Sequence, residues 1–417
     1  MAGIRARIRI SRPTALLAFG LTANMAPFAT FAAVLPEIAR AWHLSASEAG
    51  WIGGIYFAGY AAAVPILSSL TDRMDGRRIF LSSTLLAAGA SLAFATAADG
   101  FWTGLILRFL GGVALGGVHM PGLKLLAERT AGQARARGSG IYSACYTLGA
   151  AGSLFLAGAV EAGFNWRGAF MISGVVPLLA IGTVLLLPPP EASPAGQPTL
   201  DLRALFRNRA LIAYVLAFAG NIWEVSAVRA WFVAYLAWSF ALPHNSLSVP
   251  RPADISGLAS LGGFAASILV AELALRWGPR AIVMACIASV IVLLALAATA
   301  GGPSIVILPL LVLAQIASLS DAAALASGAT VASDPTRRGA ALALFAFIGY
   351  LAAFIGPVSV GIALDLFGGL GRPAGWSAAF LTMALGSAAA ALAMRIAPKG
   401  GPTVDLDAQQ ASRPRST

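Results

Sequence analysis

The chain has 417 residues, of which 58% are apolar and 11% charged, with a net charge of +11. Soluble globular proteins are about 45–50% apolar and about 25% charged, so this composition excludes that class. The basic residues stand at the ends of apolar runs and do not alternate with aromatic residues, which excludes a nucleic-acid-binding surface. Neither cysteine belongs to a metal-ligand spacing, so we expect no metal and no cofactor.

The first apolar run begins at Thr14, after the basic N-terminal segment 1–13. It continues to Pro36, well beyond the roughly 7–15 apolar residues of a signal peptide, and is predicted to be a membrane span. Charges, Pro and Gly bound the later runs. The twelve predicted spans, numbered in chain order, are 14–36, 48–71, 78–98, 101–127, 138–161, 166–187, 210–240, 254–275, 280–300, 303–331, 339–366 and 374–396.

The distribution of Lys and Arg predicts the orientation of these spans. With twelve spans, 22 of the 28 basic residues fall on the side of the termini, four fall on the opposite side, and Arg108 and Arg229 lie inside spans. Basic residues are enriched on the cytoplasmic side of membrane proteins. We therefore expect a multi-pass protein of the plasma (inner) membrane with both termini in the cytoplasm.

A polar, Pro-rich stretch divides the predicted spans into six and six. The dipeptide Arg137-Gly138 before span 5 corresponds to Arg338-Gly339 before span 11, which suggests two related halves. The sequence thus predicts an all-α integral membrane fold of two pseudo-symmetric six-helix bundles. The predicted regions are the N-terminal segment 1–13, the first bundle 14–187, the cytoplasmic linker 188–209, the second bundle 210–396 and the cytoplasmic tail 397–417.

The loop between spans 2 and 3 reads S-S-L-T-D-R-M-D-G-R-R over residues 68–78. It resembles the G-x-L-A-D-R-x-G-R-R signature of the major facilitator superfamily, although Ser68 replaces the first Gly and Asp75 is an additional residue. R-F-L-G-G-V-A-L-G at 108–116, N-W-R-G-A-F at 165–170 and R-W-G-P-R at 276–280 are similar to further motifs of that family.

This resemblance implies a transporter in which two bundles surround a cavity lined by spans 1, 4, 7 and 10 and opened alternately to either side. It also implies that the signature loop forms a latch between spans 2 and 11 that controls conformational switching. The residues expected in this gating role are Asp72, Arg73, Arg77 and Arg78. Span 5 lacks the motif of drug/proton antiporters, and the nitrate- and sugar-porter patterns are also missing, so the subfamily stays open.

Polar residues inside spans 1 and 4 are candidates for substrate binding, because a charge inside a membrane costs about 2.5–3.5 kcal/mol and usually faces a cavity or partner. They are Asn24, Arg108 and His119. The spacing of Arg108 and His119 places them on one face, about 16 Å apart. Alternatively, Arg108 pairs with backbone carbonyls at the extracellular end, and His119 is a satisfied packing residue.

Span 7 carries a polar and aromatic stripe, since Asn221, Glu224, Trp231 and Tyr235 recur on one helical face. The predicted substrate-binding residues of this span are Asn221, Trp223, Arg229, Trp231 and Tyr235. The alternative is a structural charge pair with ordinary interfacial aromatics.

Glu224 in span 7 and Asp321 in span 10 are the candidate proton carriers. A carboxyl group in an apolar cavity changes protonation state closer to neutral pH than one in water. Aligning the halves places His119 opposite Ser320, so His119 and Asp321 are predicted to face each other. Alternatively, Asp321 caps a helix or forms a salt bridge.

These features favour a proton-coupled secondary transporter of a small polar or anionic solute, acting as a monomer among membrane lipids. Efflux of amphipathic compounds by antiport is an alternative supported by Trp223, Trp231 and Phe232. A non-transporting receptor or scaffold on the same fold is a third, although the loops are short. An enzyme is not expected, because no nucleophile is paired with a base. Import and export both stay open.

Overall fold

The computed structural model describes residues 10–71, 73–188, 202–243, 245, 250–334 and 337–396. Within these residues the chain forms helices and no strand, which confirms the predicted all-α class. A short 3-10 turn, Val176–Leu178, connects α6 to α7. The α-helices are α1 (Arg12–Asn24), α2 (Thr30–Ala41), α3 (Ala46–Leu70), α4 (Gly76–Ala97), α5 (Phe101–Ala127), α6 (Gly132–Val175), α7 (Leu179–Leu185), α8 (Leu202–Arg207), α9 (Arg209–Phe240), α10 (Pro252–Trp277), α11 (Pro279–Thr299), α12 (Ser304–Ser320), α13 (Ala322–Ala332), α14 (Arg338–Leu366) and α15 (Pro373–Ile396).

Side-chain caps define several helix starts, because the first backbone N–H groups of a helix have no partner within it. Ser11 accepts a hydrogen bond from an amide of α1, and Asn208 does the same for α9. Ser45 and Glu48 form a reciprocal capping box at the start of α3. Asp75 caps α4 by accepting from the amide of Arg77 at 2.9 Å.

Ten helices in the described part of the chain are long and apolar enough to cross a membrane. One of these, Gly132–Leu185, covers the predicted spans 5 and 6. It contains a non-helical residue, Asn165, with φ 66° and ψ 179°. Gly138 and Thr183, on either side of Asn165, both pack against α1, so the chain reverses at Asn165.

The sequence predicted one continuous span at 14–36, and both its continuity and its end were wrong. The structure breaks it into α1 and α2 at residues 25–29 and extends α2 to Ala41. Pro27 lies in this break, where a proline has no N–H to donate and disfavours helical geometry in the preceding residue. Pro36, the expected end, lies inside α2. Predicted span 10 is likewise interrupted, at Asp321 between α12 and α13.

Helices α1 to α7 form the first half of the molecule, and α9 to α15 form the second. The halves meet where α3 packs along α14, α6 along α10, and α2 along α9. The contacts between α3 and α14 run from Ala46, beside Gly361, to Tyr60, beside Tyr350. Gly54 packs so tightly that an added Cβ would overlap the carbonyl oxygen of Phe354. The halves are therefore closed against each other along this part of α3.

Candidate functional site

A group of aromatic side chains lies between the two halves, near the middle of the helices. Tyr60 on α3 and Tyr350 on α14 bring their ring centroids within 4.0 Å of each other across the interface. The Tyr60 hydroxyl is 2.8 Å from Nδ1 of His119 on α5, and Tyr146 on α6 lies 4.7 Å from the His119 ring centroid. The Tyr350 side chain also lies close to those of Tyr60 and Tyr146.

Phe28 and Arg229 complete this group from the broken first span and from α9. The Arg229 guanidinium carbon lies 5.3 Å from the centroid of the Phe28 ring, and Phe28 is edge-on to Tyr146 at 5.7 Å. Tyr146 and Tyr350 interact electrostatically with Arg229. We refer to these six residues as the central cluster: Phe28, Tyr60, His119, Tyr146, Arg229 and Tyr350.

The tyrosines of the central cluster were missed by the sequence analysis. The chain contains seven tyrosines, and five of them gather in and around this cluster: Tyr56, Tyr60, Tyr142, Tyr146 and Tyr350. Four of these five form two pairs with a spacing of four residues, which places each pair on one helical face. That spacing was the available signal. Tyr350 has no tyrosine four residues away, so only the tertiary structure could show that it belongs to the cluster.

Arg108, a predicted substrate-binding residue, binds the backbone at the break between α1 and α2. It is only 6% exposed, and its guanidinium donates hydrogen bonds to the carbonyls of Pro27 at 3.2 Å and Phe28 at 3.4 Å. It also lies 4.3 Å from the centroid of the Tyr56 ring. The sequence left open a pairing of Arg108 with backbone carbonyls, but at the extracellular end rather than at this break inside predicted span 1.

Asn24, the other candidate in the first span, lies close to Arg108. Its side-chain amide donates to the Gly20 carbonyl at 2.9 Å and to the Thr84 hydroxyl at 3.1 Å. Asn24 Oδ1 and Arg108 Nε have no hydrogen-bond partner among the described residues, and both residues line a cavity of about 20 Å³. A volume of that size holds about one water molecule, so this cavity is too small for an organic solute.

The two candidate proton carriers, Glu224 and Asp321, lie inside the second half rather than in the central cluster. Glu224 is 0% exposed and accepts hydrogen bonds from the hydroxyls of Ser289 on α11 and Ser387 on α15. Asp321 is 3% exposed and interacts electrostatically with Glu224. Their partners are neutral hydroxyl, amide and thiol groups.

Asn221, predicted to bind substrate, instead joins Asp321 to the helix break. Its Nδ2 donates to Asp321 Oδ1 at 2.5 Å and to the Ser318 carbonyl at 2.8 Å. Cys286 donates to Asp321 Oδ2 at 3.3 Å. His119 and Asp321, predicted to face each other, therefore have separate partners in the structure. No group of three or more His, Cys, Asp or Glu side chains suited to a metal occurs in the described part of the chain.

Trp231 and Tyr235 pack within the second half. Trp231 is 1% exposed and donates from Nε1 to the Pro357 carbonyl at 3.1 Å. The Tyr235 ring lies 5.0 Å from that of Trp376. Trp223 is half-buried, and its carbonyl accepts from the Ser226 hydroxyl. The predicted stripe of span 7 thus faces the interior of its own bundle, while Arg229 on another face reaches the central cluster.

In the signature loop, Asp72 lies outside the described residues. Asp75, the additional residue relative to the family pattern, caps α4 and forms an ion pair with Arg77 at 2.7 Å. The hydrogen bond from the Arg77 side chain lowers the pKa of Asp75.

A carboxylate on α14 joins the two halves at the Ala46 end of α3. The Asp365 carboxylate accepts hydrogen bonds from the backbone amides of Ala46 at 2.9 Å and Ser47 at 2.8 Å, at the start of α3. The positive end of a helix dipole favours a carboxylate in this position. Sequence reasoning did not assign this role to Asp365.

Comparison with known proteins identifies a family. The model of the Major Facilitator Superfamily matches residues 17–249, which is more than half of the chain. The chain is 28% identical to the niacin transporter NiaP of Acinetobacter baylyi over 39% of this chain and 36% of that protein. It is also 28% identical to the multidrug efflux pump LfrA of Mycolicibacterium smegmatis, over 56% of this chain and 47% of the pump. The alignments thus span about a third to a half of these relatives.

A solved structure shares the fold over almost the whole chain. It is a bacterial homologue of the human lysosomal transporter Spinster, in an inward-facing and unoccupied conformation. The TM-score is 0.76 at 16% identity, and the match covers 94% of this chain and 98% of that one.

Proposed function

Because this chain belongs to the Major Facilitator Superfamily, we propose that it is a secondary transporter, not an enzyme, and that it carries a small organic anion by alternating access. The observation that carries this proposal is the position of Arg229. It is a half-buried cation in the central cluster, where residues from both halves meet. Intramembrane charges that face a cavity commonly mark substrate pathways. The similarity to a niacin transporter supports an organic acid as the substrate.

The proposed architecture has twelve membrane crossings. The reversal at Asn165 divides the longest helical stretch into two crossings, and α1 and α2 together make another. The excess of basic residues on one side supports a plasma-membrane protein with both termini in the cytoplasm. In this orientation the Ala46 end of α3 faces outward, and the closed end of the molecule is extracellular. We expect a monomer among lipids.

Transport is proposed to be coupled to protons through Glu224 and Asp321. Carboxyl groups inside membrane bundles serve as proton relays in pumps and transporters. The neutral partners of both side chains support this role, because a carboxyl without a buried cation beside it is free to gain or lose a proton. Asp72, Arg73, Arg77 and Arg78 are proposed to act in conformational switching rather than in substrate contact.

Efflux of amphipathic compounds is the second candidate, and the similarity to LfrA supports it. Two of the three aromatic residues on which that alternative rested, Trp231 and Phe232, are each 1% exposed within the second half. Only Trp223 among the three is half-buried. In the part of the chain that the structure describes, no ion pair joins Arg229 to an acidic side chain, and this favours an anion as the substrate.

The proposal is tested by transport into proteoliposomes. Radiolabelled benzoate, lactate and succinate are offered separately under an inward proton gradient, to wild type and to Arg229→Gln. At least one of the three should accumulate, and the variant should reduce its uptake tenfold or more, because the carboxylate loses its charged partner. Arg276→Gln, which removes an exposed arginine at the end of α10, serves as the control and should retain uptake. Organic cations transported equally by wild type and Arg229→Gln, without anion uptake, would refute the proposal.

A further inference from the structure

We propose that the central cluster selects a monocarboxylate with an aromatic ring, the carboxylate binding Arg229 and the ring packing among Phe28, Tyr146 and Tyr350. This inference rests on the proposed function and specifies its substrate class. Its basis is the combination, at one place between the halves, of a single arginine with aromatic faces and phenol hydroxyls.

The charge of the cluster favours one carboxylate. In the described part of the chain, Arg77, Arg129 and Arg251 form ion pairs with acidic side chains, whereas Arg229 does not. Its electrostatic neighbours are the phenols of Tyr146 and Tyr350. A guanidinium binds a carboxylate through two parallel hydrogen bonds. One such group neutralises the cluster, whereas a second anionic group would lack an equivalent partner there.

Arg108 does not supply that second partner. Its guanidinium donates to the carbonyls of Pro27 and Phe28 and lies over the Tyr56 ring. It therefore stands on the backbone side of Phe28, whereas Arg229 faces the ring of Phe28. A ligand in the central cluster meets one arginine.

The walls of the cluster favour a ring over an alkyl chain. The ring contacts already present, Phe28 with Tyr146 at 5.7 Å and Tyr60 with Tyr350 at 4.0 Å, have the edge-on and tilted arrangements of aromatic pairs. A flat aromatic ligand makes the same kind of contact through its quadrupole, and a saturated ring of equal size does not. The guanidinium can also lie over an aromatic face, as it does over Phe28.

The hydroxyl groups provide polar contacts away from Arg229. The Tyr60 hydroxyl is hydrogen-bonded to Nδ1 of His119, and the Tyr350 side chain lies close to those of Tyr60 and Tyr146. These groups can donate to or accept from a ring nitrogen or ring hydroxyl. Because Tyr350 belongs to one half and Tyr60 and Tyr146 to the other, a ring held among them contacts both halves. Its affinity therefore depends on the relative position of the halves.

Binding to the purified full-length protein tests the inference with matched probes. Benzoate and cyclohexanecarboxylate share the carboxylate and differ in aromaticity, while benzamide keeps the ring and loses the charge. Isothermal titration calorimetry should give a Kd for benzoate at least tenfold lower than for either of the other probes. Phthalate, with a second carboxylate, should also bind at least tenfold more weakly than benzoate.

Two variants assign the selectivity to the cluster. Arg229→Gln should abolish the preference for benzoate over benzamide, because it removes the positive charge that binds the carboxylate. Tyr350→Leu should reduce the preference for benzoate over cyclohexanecarboxylate, and Tyr350→Phe should retain it, because Phe keeps the aromatic face. Tyr214→Phe, on α9 against Gly328, is the control and should leave all Kd values within twofold.

The possible results distinguish a failure of this inference from a failure of the proposed function. Equal Kd values for benzoate and cyclohexanecarboxylate, or tighter binding of phthalate, overturn the ring-monocarboxylate inference while leaving an organic-anion transporter. If benzoate, lactate and succinate are neither bound nor transported, both proposals fail. A benzoate preference that survives Arg229→Gln places the binding site elsewhere and also overturns the inference.

Discussion

At the scale of single residues, the structure separates the polar side chains of α9 into two groups. Arg229 reaches the central cluster, whereas Asn221 and Glu224 face the interior of the second half. Asn221 and Glu224, which the sequence predicted on one stripe, are both buried. The stripe faces Ser387 and Asp321 because α9 packs closely against α15 and α12.

The proposed proton carriers yield a prediction for two isosteric variants, Glu224→Gln and Asp321→Asn. If Glu224 carries the coupling proton, Glu224→Gln should still bind substrate and exchange it across the membrane, but should not accumulate it against a gradient. Removing the titratable group removes the link between substrate affinity and protonation without removing affinity itself. The measurement compares counterflow with proton-driven uptake in proteoliposomes.

The same two assays on Asp321→Asn identify which acid carries the proton. Glu272→Gln, an exposed acid on α10, is the control and should behave as wild type. Wild-type accumulation, with unchanged proton dependence, in both Glu224→Gln and Asp321→Asn would show that neither acid is the carrier.

At the scale of helices, the break between α1 and α2 connects a structural arginine to the central cluster. Arg108 holds the carbonyl of Phe28, and the ring of Phe28 lies against Arg229 and Tyr146. Arg167 provides a comparison, since it donates to the carbonyls of Ala95 and Ala98 at the end of α4. Both arginines satisfy helix ends, but only Arg108 is next to the cluster.

Replacing each arginine by Gln distinguishes an effect on stability from an effect on ligand binding. Loss of the partner of a buried carbonyl costs about 1–3 kcal/mol, so we expect both Arg108→Gln and Arg167→Gln to lower the melting temperature. Arg108→Gln should in addition weaken benzoate binding about tenfold, because the backbone at Phe28 is released. Calorimetric Kd values for the two variants make the comparison, and equal Kd values would show that Arg108 is only a stability residue.

At the scale of the whole molecule, the contacts between halves concentrate at the Ala46 end of α3. Asp365 binds the first amides of α3, and Arg251 donates to the Gly158 carbonyl between α10 and α6. The family resemblance placed a latch between spans 2 and 11 at the opposite end, at Asp72. The structure shows that these two helices are joined by the Asp365 carboxylate at the other end, while the latch at Asp72 stays a prediction.

We predict that Asp365→Asn shifts the molecule towards opening at this end. A carboxylate at an exposed helix N-terminus contributes about 0.3–1 kcal/mol, which corresponds to a roughly two- to fivefold change in a two-state ratio. A cysteine at Val358, a buried residue that lies against Gly50 across the interface, reports the opening. Its reaction rate with an impermeant thiol reagent should rise by that factor, with both native cysteines replaced by Ser.

Asp99→Asn serves as the control, because Asp99 lies within the first half and pairs with Thr103. It should leave the labelling rate of the Val358 cysteine unchanged. An unchanged rate in Asp365→Asn as well would show that the Asp365 contacts do not stabilise the closed end.

The sequence by itself determined the class of protein, its helical fold and its family, and it placed Arg229, Glu224 and Asp321 inside predicted spans. These conclusions depend on run lengths, composition and local spacing, all of which are properties of consecutive residues. The tertiary structure decided which of these side chains meet. Tyr60, Tyr146 and Tyr350 come from three separate helices, and their convergence depends on how the helices pack. The break at Pro27 likewise persists because Arg108, distant in sequence, satisfies the carbonyls that it exposes.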